Sequence, residues 1–150
     1  MGAGDRRSAA GVLLTVACDH TDRDLEVHGV AWSKQAAPDV LGAEAWRLVE
    51  VNDHIDELTL TAWVGSDDGA AETEFQRGTL AELLPPAYWL DLLAERGLRE
   101  PGTVLLSGAI PLHEEVDQFA DRWRVALGDP RTGRAIECGY RVRRMPAPLG

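Results

Sequence analysis

The feature that most constrains the fold is a period-two alternation near the C-terminal end. Phe119, Asp121, Trp123, Val125 and Leu127 share one face of an extended segment, GDPRTG at 128–133 turns the chain, and Ile136, Cys138, Tyr140 and Val142 share one face of the return. Side chains alternate sides along a strand, so this pattern fits a β-hairpin with one face buried. A slip of one residue would turn the whole apolar set to water. Asp121 is the polar member of its face, placed either at a sheet end or pointing into a site. A second hairpin is predicted from LTLTAWV at 58–64, a turn in SDDGA at 66–70 and a return in ETEFQRG at 72–78.

Between and around these hairpins the period changes. Over 79–97 apolar residues at 80, 83 and 84 and again at 89, 90 and 93 are divided by Pro85-Pro86, which predicts two helices, the second capped by Gly97. GVLLTVA at 11–17 and GTVLLSG at 102–108 read as buried strands, the second ending in a glycine where backbone can approach a ligand closely. DHTDRDLE at 19–26 has helix-starting chemistry: Asp19 or Thr21 can cap, Asp24 stands three residues after Thr21, and one to two turns should follow to near Gly29. Residues 43–49 read as a short helix passing into a strand. With no internal repeat or linker, the expectation is one domain over 1–150, α+β and strand-dominated.

The charge balance, 25 Asp plus Glu against 15 Lys plus Arg for a net of −10, makes phosphate backbones and anionic lipid surfaces poor partners. Neither a nucleic acid nor a membrane is expected. No apolar run approaches the length of a membrane-spanning helix. Cys18 and Cys138 form no CxxC or Cys/His spacing, so neither a zinc module nor a disulfide framework is indicated, and a reducing cytoplasm is the default location. The run RRSAAGVLLTVAC imitates an export signal, but it is short and glycine-interrupted, and a strand is the plainer reading. The five tryptophans, 32, 46, 63, 89 and 123, are spread over different elements as core anchors would be. Glu72 and Glu74 read as solvent-facing charge, and His20, His28, His54 and His113 lack metal-binding spacing, His54 with Asp56 being a weak signal.

Chemistry concentrates in one place. Asp19, His20, Asp22, Arg23, Asp24 and Glu26 fall immediately after an apolar strand, where active-site loops are commonly mounted, although a capped and charge-laced exposed helix would carry the same residues. The string CDHTDRDLEVHGVAWSKQ resembles the active-site segment of the fumarylacetoacetate hydrolase superfamily. DHTDRDLE, WSKQ, AEAWRLVEVNDHIDELTL, FQRGTLAELLPP, GTVLLSG and LGDPRTGRAIECGYRV are similar, in order, to an uncharacterised bacterial family within it.

That resemblance implies a mixed β-sandwich roll like the superfamily's C-terminal domain, a homodimer, a bound Mg²⁺ or Mn²⁺, and hydrolysis of a carbon–carbon bond in a small oxo-acid. Carried over residue by residue, it makes Asp19 the metal ligand and Lys34 the catalytic lysine that stabilises negative charge on substrate oxygen. Glu26 falls where relatives face substrate, Arg23 and Asp24 match the pair that fixes the loop, and Ser107, Gly108 and Ala109 match the lining of the substrate pocket. His20 is the nearest titratable group for activating water. Two departures accompany the match: the Glu-x-Glu metal ligands that precede the Asp in relatives would fall at or before Met1, and Ala109 stands where relatives carry threonine. The expected domain is therefore incomplete at its N-terminus. A non-catalytic or truncated remnant is one alternative function, and an isomerase or decarboxylase on the same scaffold is another.

Overall fold

Residues 11–66, 71–112 and 116–146 are described in a computed structural model of the chain. In chain order the elements are β1 (Leu13–Leu14), β2 (Ala17–Cys18), α1 (Arg23–Glu26), α2 (Val30–Gln35), β3 (Val40–Leu41), β4 (Trp46–Arg47) and α3 (Leu48–Val51). A 3₁₀ turn (Asn52–Glu57), β5 (Thr59–Gly65), β6 (Thr73–Thr79), a second 3₁₀ turn (Leu80–Glu82), α4 (Pro86–Glu95), β7 (Arg122–Asp129) and β8 (Arg134–Arg141) follow. Strand (29%) slightly exceeds helix (26%), so the chain is mixed α+β with only a small excess of strand.

Both predicted hairpins form, and they share a sheet. β5 pairs antiparallel with β6 on one side and β7 on the other, giving a four-stranded sheet in the order β6-β5-β7-β8. The β7–β8 register sets Trp123 opposite Tyr140, Val125 opposite Cys138 and Leu127 opposite Ile136. Val125, Leu127, Ile136 and Cys138 are buried with Ala62, Val64, Phe75 and Leu58, so the alternating face is the core face. Burial of a side chain such as Leu58 contributes about 1.5–3 kcal/mol. The turn at 67–70 lies outside the described residues, as do His113 and residues 1–10.

The turn of the last hairpin is locked from within. The fully buried side chain of Asp129 accepts from the Arg131 amide at 2.9 Å and from the Thr132 hydroxyl at 2.7 Å, and His54 Nε2 lies 3.1 Å from its Oδ1. His54 is thus committed to Asp129 across the fold. Glu72 and Glu74 point to solvent-side arginines, Arg124 and Arg77, as charge on an outer sheet face should. In the 79–97 region a 3₁₀ turn and α4 are separated at the proline pair, and Gly97 closes the helix at φ 66°.

Elsewhere the structure departs from the expectations. GVLLTVA is two short strands, because Thr15 turns its hydroxyl to the Glu44 carbonyl at 2.7 Å and the chain changes partners there: β1 pairs with β4, and β2 with β3. Leu13 is 65% exposed. The 43–49 segment runs strand first and helix second, since Trp46 is held opposite Leu14 before α3 begins. GTVLLSG is not a buried strand: 103–109 is exposed coil bounded by left-handed glycines, Gly102 at φ 93° and Gly108 at φ 114°. Its anchor is downstream, where buried Ile110 packs beside Gly78 and its carbonyl accepts from the Gln76 side-chain amide. Of the tryptophans only Trp46 is buried; Trp32 is exposed, and Trp63 lies under the Arg124 guanidinium at 3.8 Å. The ladders are antiparallel and the sheets open, so the described residues do not close into the mixed sandwich roll that the resemblance implied.

Candidate functional site

The polar loop after β2 is held at both ends. Asp22 caps α1, its Oδ1 accepting from the Asp24 amide at 3.0 Å and the Leu25 amide at 3.1 Å, so the cap is neither Asp19 nor Thr21. The Asp22 amide donates to the Ser33 carbonyl at 3.1 Å, tying α1 to α2, and buried Ser33 closes back on the Val30 carbonyl. With the loop fixed, Cys18 to Thr21 face the end of the four-stranded sheet, where Trp123 and Tyr140 stand side by side.

A shallow pocket with about 250 Å³ of empty space, part of it open to solvent, is lined by Cys18, Asp19, His20, Thr21, Arg23, Gln118 and Trp123. Behind this lining the Tyr140 hydroxyl lies 2.8 Å from His20 Nδ1 and 3.0 Å from Cys18 Sγ. The His20 ring is met edge-on by Trp123 and by Tyr140, each at 5.6 Å between centroids. Trp123 is fixed in turn by its indole N–H to the Ala120 carbonyl at 3.0 Å.

Two ion pairs flank the pocket. Lys34 Nζ donates to Asp19 Oδ2 at 2.6 Å, and Arg23 donates through Nε to Gln118 Oε1 at 2.8 Å and through Nη1 to Glu26 Oε2 at 2.7 Å. The pairs are more than a third exposed, where such contacts contribute at most about 1 kcal/mol. Among the described residues, Asp19 Oδ1 and Arg23 Nη2 take no hydrogen bond, leaving one acceptor and one donor for a ligand.

The central trio is uncharged near neutral pH. Burial pushes the Cys18 thiol up despite the opposing effect of its hydrogen bond with Tyr140, and burial pushes His20 down despite the nearby Asp22 carboxylate. Burial, with Cys18 beside it, carries the Tyr140 phenol far above its ordinary range. A thiol, a phenol and a neutral imidazole therefore share hydrogen bonds, and the thiol is a poor spontaneous nucleophile.

Of the residues singled out in the sequence, the structure brings Asp19, His20 and Arg23 to the pocket, Lys34 one hydrogen bond behind Asp19, and Glu26 one behind Arg23. Ser107 and Gly108 lie in exposed coil and do not line it. Sequence reasoning did not single out Cys18, Thr21, Gln118, Trp123 or Tyr140 as site residues. Tyr140 left a signal: it sits on an apolar face, and a buried tyrosine hydroxyl needs a partner.

The residues do not fit the Mg²⁺ or Mn²⁺ implied by the resemblance. Asp19 is one carboxylate, its Oδ2 is held by an ammonium group, and no group of three or more His, Cys, Asp or Glu that could hold a metal ion exists among the described residues. A hard divalent ion asks for several oxygen ligands in near-octahedral array.

Residues 7–140 match the protein family of unknown function DUF2848, and the chain belongs to that family. This finding corrects the resemblance to the fumarylacetoacetate hydrolase superfamily, which no match supports. No curated protein and no solved structure matches the chain. No helix of the described residues is long and apolar enough to cross a membrane.

Proposed function

We propose that the chain is an enzyme acting on a small oxo-acid through an enolate, without a metal ion at Asp19. The observation that carries the reading is the His20 imidazole, held from behind by the Tyr140 hydroxyl at 2.8 Å and lining a pocket that also presents Asp19 and Arg23. Arg23 would take the substrate carboxylate through its uncommitted Nη2, as a guanidinium does by geometry. Asp19 Oδ1 would remove a proton from the carbon next to the carbonyl, Lys34 would keep that carboxylate oriented through Oδ2, and His20 would hold the charge that develops on oxygen. Isomerisation starts from this enolate, whereas hydrolytic cleavage of an adjacent carbon–carbon bond and decarboxylation each release an enolate as the bond breaks, so the groups that hold the oxygen charge are common to the three.

The same reading includes a homodimer. Val104, Leu105 and Leu106 are exposed, strand-forming and without a strand partner among the described residues, while β6 and β8 are the edges of the four-stranded sheet. A second copy is the occupant that supplies both an edge and an apolar cover.

The test is incubation with a panel of 2-oxo and 3-oxo carboxylic acids in deuterated water, with proton exchange and products followed by NMR. We expect exchange with at least one member, lowered about a hundredfold or more in Asp19→Asn and about tenfold or more in Lys34→Met. Neither exchange nor product across the panel would overturn the reading.

A further inference from the structure

We infer that Tyr140 is a positioning residue that fixes His20 as its Nε2–H tautomer, so that His20 offers the pocket a hydrogen-bond donor in place of a base. The hydroxyl has one proton and two neighbours, His20 Nδ1 at 2.8 Å and Cys18 Sγ at 3.0 Å. Two arrangements are open to the three groups. In the first, Nδ1–H donates to the phenol oxygen and the phenol donates to sulfur. In the second, the thiol donates to the phenol oxygen and the phenol donates to Nδ1.

The chemistry of the acceptors decides between them. An imidazole nitrogen is a strong acceptor and a thiol sulfur a weak one, so the phenol proton belongs on Nδ1. The first arrangement also strands the Cys18 S–H, for which the described residues offer Sγ no hydrogen-bond partner other than Tyr140. The second arrangement places the phenol proton on the better acceptor and gives the Cys18 S–H an acceptor in the phenol oxygen. Turning the ring over would take Nδ1 away from Tyr140 and leave the hydroxyl only the thiol. Trp123, edge-on at 5.6 Å, packs against the ring in the orientation observed.

With Nδ1 occupied, Nε2 is the ring atom left to a ligand on a residue that lines the pocket. A neutral N–H can hold an enolate oxygen without bringing a full positive charge. That role on substrate rests on the oxo-acid reading above; the tautomer does not. Tyr140 acts through His20 and does not line the pocket itself.

The experiment is a two-bond ¹H–¹⁵N correlation spectrum of the uniformly labelled full chain at neutral pH, with His20→Gln used to assign the ring. We expect a pyridine-type Nδ1 and a pyrrole-type Nε2 at His20. A pyrrole-type Nδ1, or an even mixture of the two forms, overturns the inference. Tyr140→Phe should convert His20 to a mixture, and persistence of the pure Nε2–H form there overturns the role of Tyr140. Should that variant not fold, Cys18→Ala serves: it removes the donor to Tyr140 and should leave the tautomer unchanged, whereas a switch to Nδ1–H overturns the assignment. Where the oxo-acid assay yields turnover, Tyr140→Phe should lower kcat about tenfold with KM within about twofold. An Nε2–H tautomer in a chain that turns over nothing supports the positioning and sinks the activity alone.

Discussion

A carboxylate without exposed surface needs partners for both oxygens, and Asp129 has them in Thr132, the Arg131 amide and His54. Burial alone would raise its carboxyl, but these hydrogen bonds outweigh burial and hold it at about 2, below the ordinary 3.8. Because the folded value is depressed, the group adds stability above the unfolded value and loses that contribution as pH falls through 3.8 toward about 2. Asp129→Asn should therefore lower the urea midpoint at neutral pH, and the gap to the parent chain should narrow across that acid window. A gap independent of pH would contradict the assignment. The turn itself was legible in GDPRTG, whereas His54 lies 75 positions upstream and no local pattern records the pairing. Tyr140 shows the same limit: alternation places it on the core face, but its partners come from the far end of the chain.

Elements with a strong period and local punctuation were readable: both hairpins, and the proline-split segment before Gly97. What the sequence did not reveal was the choice among partners for short apolar runs. GVLLTVA and GTVLLSG look alike as strings, yet one finds β3 and β4 and the other pairs with no strand among the described residues. The capping box illustrates the point, for it was expected at Thr21 and Asp24 and is found at Thr79 and Glu82, where Glu82 accepts from the Thr79 amide at 3.0 Å. The crossing of β1, β2 and β3 is tight at Gly42, where a Cβ would stand 2.7 Å from Thr15 Oγ1 and 2.9 Å from Ile136 Cγ2. Gly42→Ala should accordingly cost about 1–3 kcal/mol in urea unfolding through overpacking, and a neutral result would mean that the small ladders yield easily.

At the scale of the whole molecule, the exposed Val104, Leu105 and Leu106 predict self-association. Sedimentation over a range of concentrations should show a dimer that Leu105→Lys with Leu106→Lys disperses, and a monomer at every concentration would remove the homodimer from the proposed function. The candidate site was half legible from sequence. Its acidic loop is a contiguous string, whereas its far wall, Gln118 and Trp123, and the Tyr140 behind His20 come from the other end of the chain. The bond from Cys18 to Tyr140 spans 122 positions. Such separation has a temporal side: contacts between remote parts of a chain must meet the cost of closing the intervening loop, so they form late. On the ribosome, the loop bearing His20 emerges early and waits while the 120 positions up to Tyr140 are added. The trio comes together only after β8 has cleared the exit tunnel, so the far wall of the pocket and the partner of His20 arrive long after the loop they complete.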